Sequence, residues 1–490
     1  SLKAEKEVFA VRWRLEPKNE EDALKQKNGE LIEPKKPIVY YIDPATPEKW
    51  RPFIKAGIDD WQEAFEFAGW KNAIRGEYWP ENDPTMSLED ARFSVLRYFA
   101  ADIQNAYGPN VHDPRTGEIM ESHIGWYHNI MSLLRDWYLI QTAAVDPRAR
   151  NKNFEPELMG ELIRFVSSHE VGHTLGLRHN MGASNAAFQK KNGHTSSIMD
   201  YARFNYVAQP EDGVIELFPR IGDYDKWAIK WGYSYFPDAS TEKEEKALLN
   251  EMTKEAYQDR RLWFGTESSP FDPRYQTEDL GDNAMKASEY GIKNLKRILP
   301  QLNTWSKEDG EDYSELEGLY NSLTGQFRRY MGHVTKNIGG IYYNPKTTDM
   351  EGKEYEVVPS NTQKEAVTFL NQQLFKTPTW LLDQDIINKI NPDSGVEAMK
   401  NLQGSILNSL LSGDRLIRLI ETSALDKKNY SIDELMTDLR KSIFSELSTN
   451  ASIDIYRRNL QKLFVNNLID ALDNEGKKTA SGLNRRPVKY

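Results

Sequence analysis

Three of the chain's 8 histidines fall in one short run, His169, His173 and His179, inside the pattern H-E-x-x-H-x-x-G-x-x-H. His169 and His173 are four apart, so on a helix both imidazoles leave one face a turn apart. That spacing lets two ring nitrogens reach a single zinc ion at about 2.0–2.1 Å. Glu170 follows the first ligand and points to the side of the metal where a water would sit. Zinc lowers the pKa of such a water to roughly 7, and a carboxylate beside it can take the proton. Gly176 can adopt the left-handed conformation that ends a helix, which turns the chain back and brings His179 in as a third ligand. Three protein ligands leave a position open, the arrangement of a catalytic rather than a structural zinc. The competing reading is a buried helix with incidental polar residues, and the concentration of histidine in this one motif weighs against it.

The residues before the motif carry it on a buried stripe. Leu158, Leu162 and Phe165 lead into His169 and His173 at steps of 4, 3, 4 and 4, and Pro156 suits the first turn of the same helix. Upstream, residues 7–15 alternate, with Phe9, Val11, Trp13 and Leu15 on one face, as a half-buried strand would. The charged stretch from Glu16 to Lys36 reads as a linker or exposed hairpin. Ile38–Ile42 is a short buried strand. Thr46 and Pro47 open a helix that carries Trp50, Ile54, Ile58, Trp61, Phe65 and Ala68, is distorted in its second turn by Pro52, and closes at Gly69. Ala91 to Phe99 reads as a second strand. After a turn at Asp113–Gly117, Glu118 to His128 reads as a third, with residues of alternate parity on its two faces. Lying at the rim of a cleft, that strand could pair with an extended peptide, and His123, Ile124, Gly125 and Trp126 are its candidate pairing residues. An ordinary interior strand is the alternative. Residues 129–143 form a helix. The order of elements gives an α/β layout with a mixed sheet.

Length and charge bound the rest. A chain of 490 residues needs more than one core. Its formal net charge of −11 argues against a nucleic-acid partner, because there is no basic excess to displace counterions. It has no cysteine, so disulfides, thiolate zinc sites and cysteine nucleophiles are excluded. No apolar run is long enough to span a membrane. Ser1–Glu5 lacks the apolar core of a signal peptide, as expected of a mature form or a fragment. His112, His123 and His128 are not at ligand spacing and read as surface or core residues.

Downstream of the motif lies Ser196-Ser197-Ile198-Met199-Asp200-Tyr201. A three-histidine motif of this form followed by a tight turn holding methionine resembles the metzincin zinc endopeptidases. The blocks His169–Ser184, Ser197–Pro210 and Ile221–Ile229 with Gly232-Tyr233, together with Tyr127–Asn129 and Arg135–Tyr138, are most similar to the bacterial exported Met-zincin family. The likeness is strong over residues 36–235 and loose beyond. It implies a metzincin-like catalytic domain of α+β or α/β type, with a mixed twisted sheet, a zinc-binding active-site helix and a Met-turn. It implies one catalytic Zn2+ held by His169, His173 and His179, and Met199 packed beneath their plane, where a soft thioether fills the gap. Tyr201, two residues on, is the candidate stabiliser of the oxyanion. It also implies that residues 118–128 are the substrate-aligning edge strand, that a β-rich domain precedes the protease domain, and that the protein is exported. Asn180 stands where most characterised metzincins carry another residue, which leaves the substrate subfamily open.

The expected domains are therefore an N-terminal strand and charged linker over 1–36, a catalytic domain over 37–235, a mainly α-helical domain over 236–475 and a polar tail over 476–490. A β-hairpin insert near 339–358 interrupts the helical domain. These helices carry no ligand cluster; His333 is alone and reads as structural, and the helices are expected to wall or brace the cleft. The acidic loop Asp309–Glu315 is of a kind common without metal and gives calcium no support. The first functional expectation is a zinc metalloendopeptidase acting on a protein or peptide, with Glu170 as general base and acid. A catalytically inactive zinc-containing binding protein and a zinc hydrolase of non-peptide amides stand as alternatives.

Overall fold

The computed structural model describes residues 8–185, 195–266, 270–391, 393 and 395–478. The chain divides into two compact units, one of residues 1–269 with 274–283, the other of 270–273 with the residues from 284 onward. The polar tail expected from residue 476 lies almost wholly outside the described residues.

The first unit begins with an extended segment, and the strand expected over 7–15 does not form. A single parallel bridge joins Arg12 to Glu118, through Arg12 N–H to Gly117 O (3.0 Å) and Ile119 N–H to Arg12 O (2.8 Å). The alternation is real, since Val11, Trp13 and Leu15 are half-buried while Ala10 and Arg14 are exposed. Beyond Arg12, however, the segment bonds to side chains and helix ends rather than to a strand. The stretch read as a linker holds helix α1 (Glu20–Lys27). Asn19 caps it by accepting from Asp22 N–H, and Glu20, Glu21 and Asp22 in the first turn with Lys25 and Lys27 in the last complement the helix dipole. A bridge between Pro17 and Pro34 closes the excursion.

Strand β1 (Ile38–Ile42) leads through a single 3₁₀ turn, not the expected helix start, into α2 (Arg51–Asp59). Pro52 falls in the first turn of α2, where its missing N–H costs nothing, so it does not distort the helix. A break at Asp60–Trp61 separates α3 (Gln62–Phe67). Then come β2 (Ile74–Tyr78), β3 (Ser94–Phe99) and β4 (Ala106–Tyr107), β5 (Val111–His112), β6 (Ile119–Glu121) and β7 (His123–Tyr127). Five strands form one sheet in the order β2-β1-β3-β7-β4, the first four parallel and β4 antiparallel to β7. β5 and β6 pair separately.

This order corrects two expectations. Residues 118–128 are two strands in different sheets. β7 is no edge: β3 flanks one side, and β4 covers the other through Ala106↔Trp126 and Tyr107↔Gly125, with Tyr127 N–H donating to Asn105 O (3.3 Å). His123, Ile124, Gly125 and Trp126 therefore sit in the interior of the sheet, with Ile124 and Trp126 almost fully buried. The edge on this side of the sheet is β4, whose two residues were too short a run to carry an alternation signal.

On the face of β1 that carries Ile38, Tyr40 and Ile42, α2 and the long helix α5 pack over the sheet. α4 (Ile130–Thr142) precedes α5 (Pro156–Thr174), and α6 (Asp223–Tyr233) and α7 (Glu242–Ala256) complete the unit's helices. Pro156 occupies the first turn of α5 and Leu158 and Leu162 are fully buried, so the sequence stripe is the core face of that helix.

The second unit is mainly helical: α8 (Ala284–Ile298), α9 (Leu302–Trp305), α10 (Ser314–Thr335), α11 (Ser360–Leu370), α12 (Gln384–Ile390), α13 (Val396–Leu410), α14 (Gly413–Leu425), α15 (Ile432–Ile443), α16 (Glu446–Thr449) and α17 (Ile455–Lys478). Strands β8 (Ile341–Tyr343) and β9 (Tyr355–Val357) pair antiparallel between α10 and α11. Leu316, Leu319, Leu323, Phe327, Tyr330 and Val334 bury one face of α10. The buried Arg415 caps its last carbonyl, donating to Thr335 O (2.7 Å), and also bonds Ile338 O in the turn beyond. Among the described residues no helix is long and apolar enough to cross a membrane.

Candidate metal centre

α5 delivers two histidines from its last two turns. His169 is buried at 6% exposure, and its Nδ1–H donates to Ile198 O (2.8 Å). His173 donates in the same way through Nδ1 to Leu177 O (3.0 Å). A carbonyl can only accept, so both rings are held with Nδ1 protonated and Nε2 bare. This is the orienting hydrogen bond that metal-binding imidazoles ordinarily make.

The helix then stops as the sequence required. Gly176 has φ +90°, and the N–H groups of Gly176 and Leu177 donate to His173 O (3.0 Å) and Gly172 O (3.1 Å), the paired bonds of a Schellman cap. A side chain at Gly176 would be strained by that φ and would also collide with Val11 O of the N-terminal segment. The same segment caps neighbouring carbonyls: Trp13 Nε1–H donates to Thr174 O (3.0 Å), and Tyr233, which accepts from Trp13 N–H, donates to Leu175 O (2.9 Å).

Past the turn, His179 Nε2 comes to 3.1 Å from His173 Nε2, and ligand atoms of His169, His173 and His179 all lie within 4.8 Å of one another. His169 Nε2 is buried and has no hydrogen-bond partner. A bare, desolvated imine nitrogen is costly to leave unpaired, and beside two further imidazoles it fits a cation of the zinc type. Burial, and secondarily His173, push the His169 pKa down to about 3, which keeps the ring neutral as a ligand must be. Glu170 is buried at 7% exposure, and burial lifts its carboxyl to about 8; a divalent cation alongside would draw that value down.

The turn at Ser197–Asp200 packs against α5. Met199 is fully buried, and its Sδ packs so closely on Gly172 of α5 that no Cβ could stand there. Ile198 O receives His169, and Met199 O receives Asn180 N–H (3.0 Å), so one turn holds both the first histidine and the loop of the third. Asp225, in the first turn of α6, fixes the turn by accepting from Ser197 Oγ (2.6 Å), Ile198 N–H (2.7 Å) and Gly222 N–H (2.8 Å). Its burial raises its pKa to about 7. The Tyr201 ring stands 4.4 Å from that of His179 and 5.3 Å from that of His169, centroid to centroid. The chain beyond it is anchored by Arg203, which lies over the Trp137 ring and pairs with Glu278 at 2.7 Å.

His169, His173, His179 and Tyr201 are thus gathered, with Met199 packed on α5 and Glu170 buried beside His169 in the chain, while His123–Trp126 lie inside the sheet. Sequence reasoning missed Asp225, Trp13 and the edge strand β4. Gly108, just after β4, passes so near Glu170 O that a Cβ would collide with it, which sets this edge against α5. The dipeptide Gly108-Pro109 was the available signal for a chain segment making such an approach.

No curated protein and no solved structure matches the chain. The model of the Met-zincin family matches residues 151–451, from just before α5 to just beyond α16. That match covers more than half of the chain and begins with the helix whose histidines converge, so the protein belongs to the Met-zincin family, of metzincin-type zinc metalloprotease character.

Proposed function

We propose that the protein is a zinc-dependent endopeptidase, with His169, His173 and His179 as metal ligands. The observation that carries this reading is the bare, buried Nε2 of His169 among two other imidazoles, next to a buried carboxylate. When bound, zinc would polarise the scissile carbonyl and acidify the attacking water. Glu170 takes the proton from that water and later hands it to the departing amine. Its burial supports this shuttle, because a desolvated carboxylate holds a proton more readily than an exposed one. The Tyr201 hydroxyl donates to the oxyanion of the tetrahedral intermediate, a role supported by its ring lying against His169 and His179. The extended substrate pairs with β4, the free edge of the sheet nearest α5, instead of with β7.

A digest of a denatured protein mixture tests the reading. The zinc-loaded parent is expected to cut internal peptide bonds. Glu170→Ala should retain zinc and lose roughly 10²–10⁴-fold in turnover. Intact peptides in the presence of zinc-loaded parent, or full activity in Glu170→Ala, would sink it.

A further inference from the structure

Asn180 follows His179 directly and has no accessible surface. A buried carboxamide must find partners for both its ends, and two of the three found here lie far along the chain. Nδ2 donates to Trp263 O (2.8 Å), while Oδ1 accepts from Gly182 N–H (3.1 Å) and Gly265 N–H (3.1 Å). The backbone adds Met181 N–H to Gly265 O (2.7 Å) and Asn180 N–H to Met199 O. Gly182 and Gly265 both rest against the Tyr275 ring, where a Cβ on Gly265 would overlap it. His179 itself stands on no helix or strand, so this knot is what limits where its backbone can go.

We propose that Asn180 is the positioning residue of the third histidine, and that through it residues 263–265 belong to the metal site. The inference rests on the reading of His179 as a ligand. The carboxamide is suited to the task and a carboxylate is not. Asp at 180 would still accept from Gly182 and Gly265, but would turn an oxygen lone pair toward Trp263 O.

The test measures zinc affinity of the full chain by competition with a chromogenic chelator, alongside thermal melting, for the parent, Asn180→Ala, Asn180→Asp and Ser184→Ala. Ser184 is an equally buried polar residue of the same loop, bonded to Asp279 and not to residues 263–265. Both Asn180 variants are expected to weaken zinc binding by about 10–100-fold, the scale of lost outer-shell partners. Their cobalt-substituted forms should show altered visible spectra, which loss of stability alone would not produce. Ser184→Ala should melt earlier yet bind zinc as the parent does. Parent-like affinity and spectrum in folded Asn180→Ala, or an equal loss in Ser184→Ala, would overturn the positioning role. If an Asn180 variant does not fold, Gly265→Ala offers the same reading from the other end of the knot, because its Cβ would overlap the Tyr275 ring and shift residues 263–265: weakened zinc is expected, and unchanged affinity overturns the proposal. A parent that binds no zinc would instead remove the ligand assignment itself.

Discussion

His169 and His173 stand on α5, where helical geometry alone sets their spacing and the buried stripe of Leu158 and Leu162 sets their direction. His179, Met199 and Tyr201 lie outside every helix and strand. Their positions come from single bonds to distant chain: Asn180 to Trp263 and Gly265, Ser197 and Ile198 to Asp225, and the loop after Tyr201 through Arg203 to Glu278. One half of the site is held by a repeating local rule. The other half is held by a few long-range contacts, each of which can be removed separately. The helical half should therefore fail all at once, and the loop half in graded steps.

The largest effect is expected for His173→Ala, whose loss of zinc affinity in chelator competition should exceed the roughly 10–100-fold of an outer-shell change. His179→Ala should fall equally far if both histidines are ligands. Retained stoichiometry in either variant would break the comparison at its base.

Gly176→Ala strikes the joint between the two halves. Forcing a Cβ into the left-handed region costs about 1–2 kcal/mol, and crowding against Val11 O adds to it. Melting should drop, and zinc affinity with it. A stable variant with weakened zinc would show that the joint serves the loop more than the helix.

Asp225→Asn tests the support under Met199 through pH. The carboxyl titrates near 7 in the folded protein, above its ordinary value near 4. The folded state therefore holds more protons than the unfolded one across that window, and stability falls as pH rises through it. Relative to the Asn variant, the parent should lose melting temperature between about pH 4 and pH 7; parallel curves would show that Asp225 does not carry this titration.

The smallest effect belongs to Trp13→Phe, which removes one N–H from Thr174 O at the end of α5. A loss of about 0.5–1.5 kcal/mol is expected by denaturant titration. Zinc affinity should barely move, because the helix already fixes His169 and His173.

Legibility followed the same division. The stripe on α5, the glycine stop at Gly176 and the strand Ile38–Ile42 could be read directly, since each depends on residues within a few positions. β4 could not, because two residues carry no period. The role given to His123–Trp126 failed for that reason: alternation identifies a strand, while only the arrival of β4 decides which strand is the edge. Helix α1 was hidden by its charge, although Asn19 and the acidic first turn were visible signals.

By itself the sequence determined the chemistry on offer, three imidazoles and a carboxylate at helical and turn spacing, because those relations are set by backbone geometry over a few residues. Only the tertiary structure decided that Ile198 O orients His169, that Asn180 ties the third histidine to residues 263–265, and that β4 borders α5. Contacts between positions tens of residues apart leave no local period, and they exist only once the chain has folded.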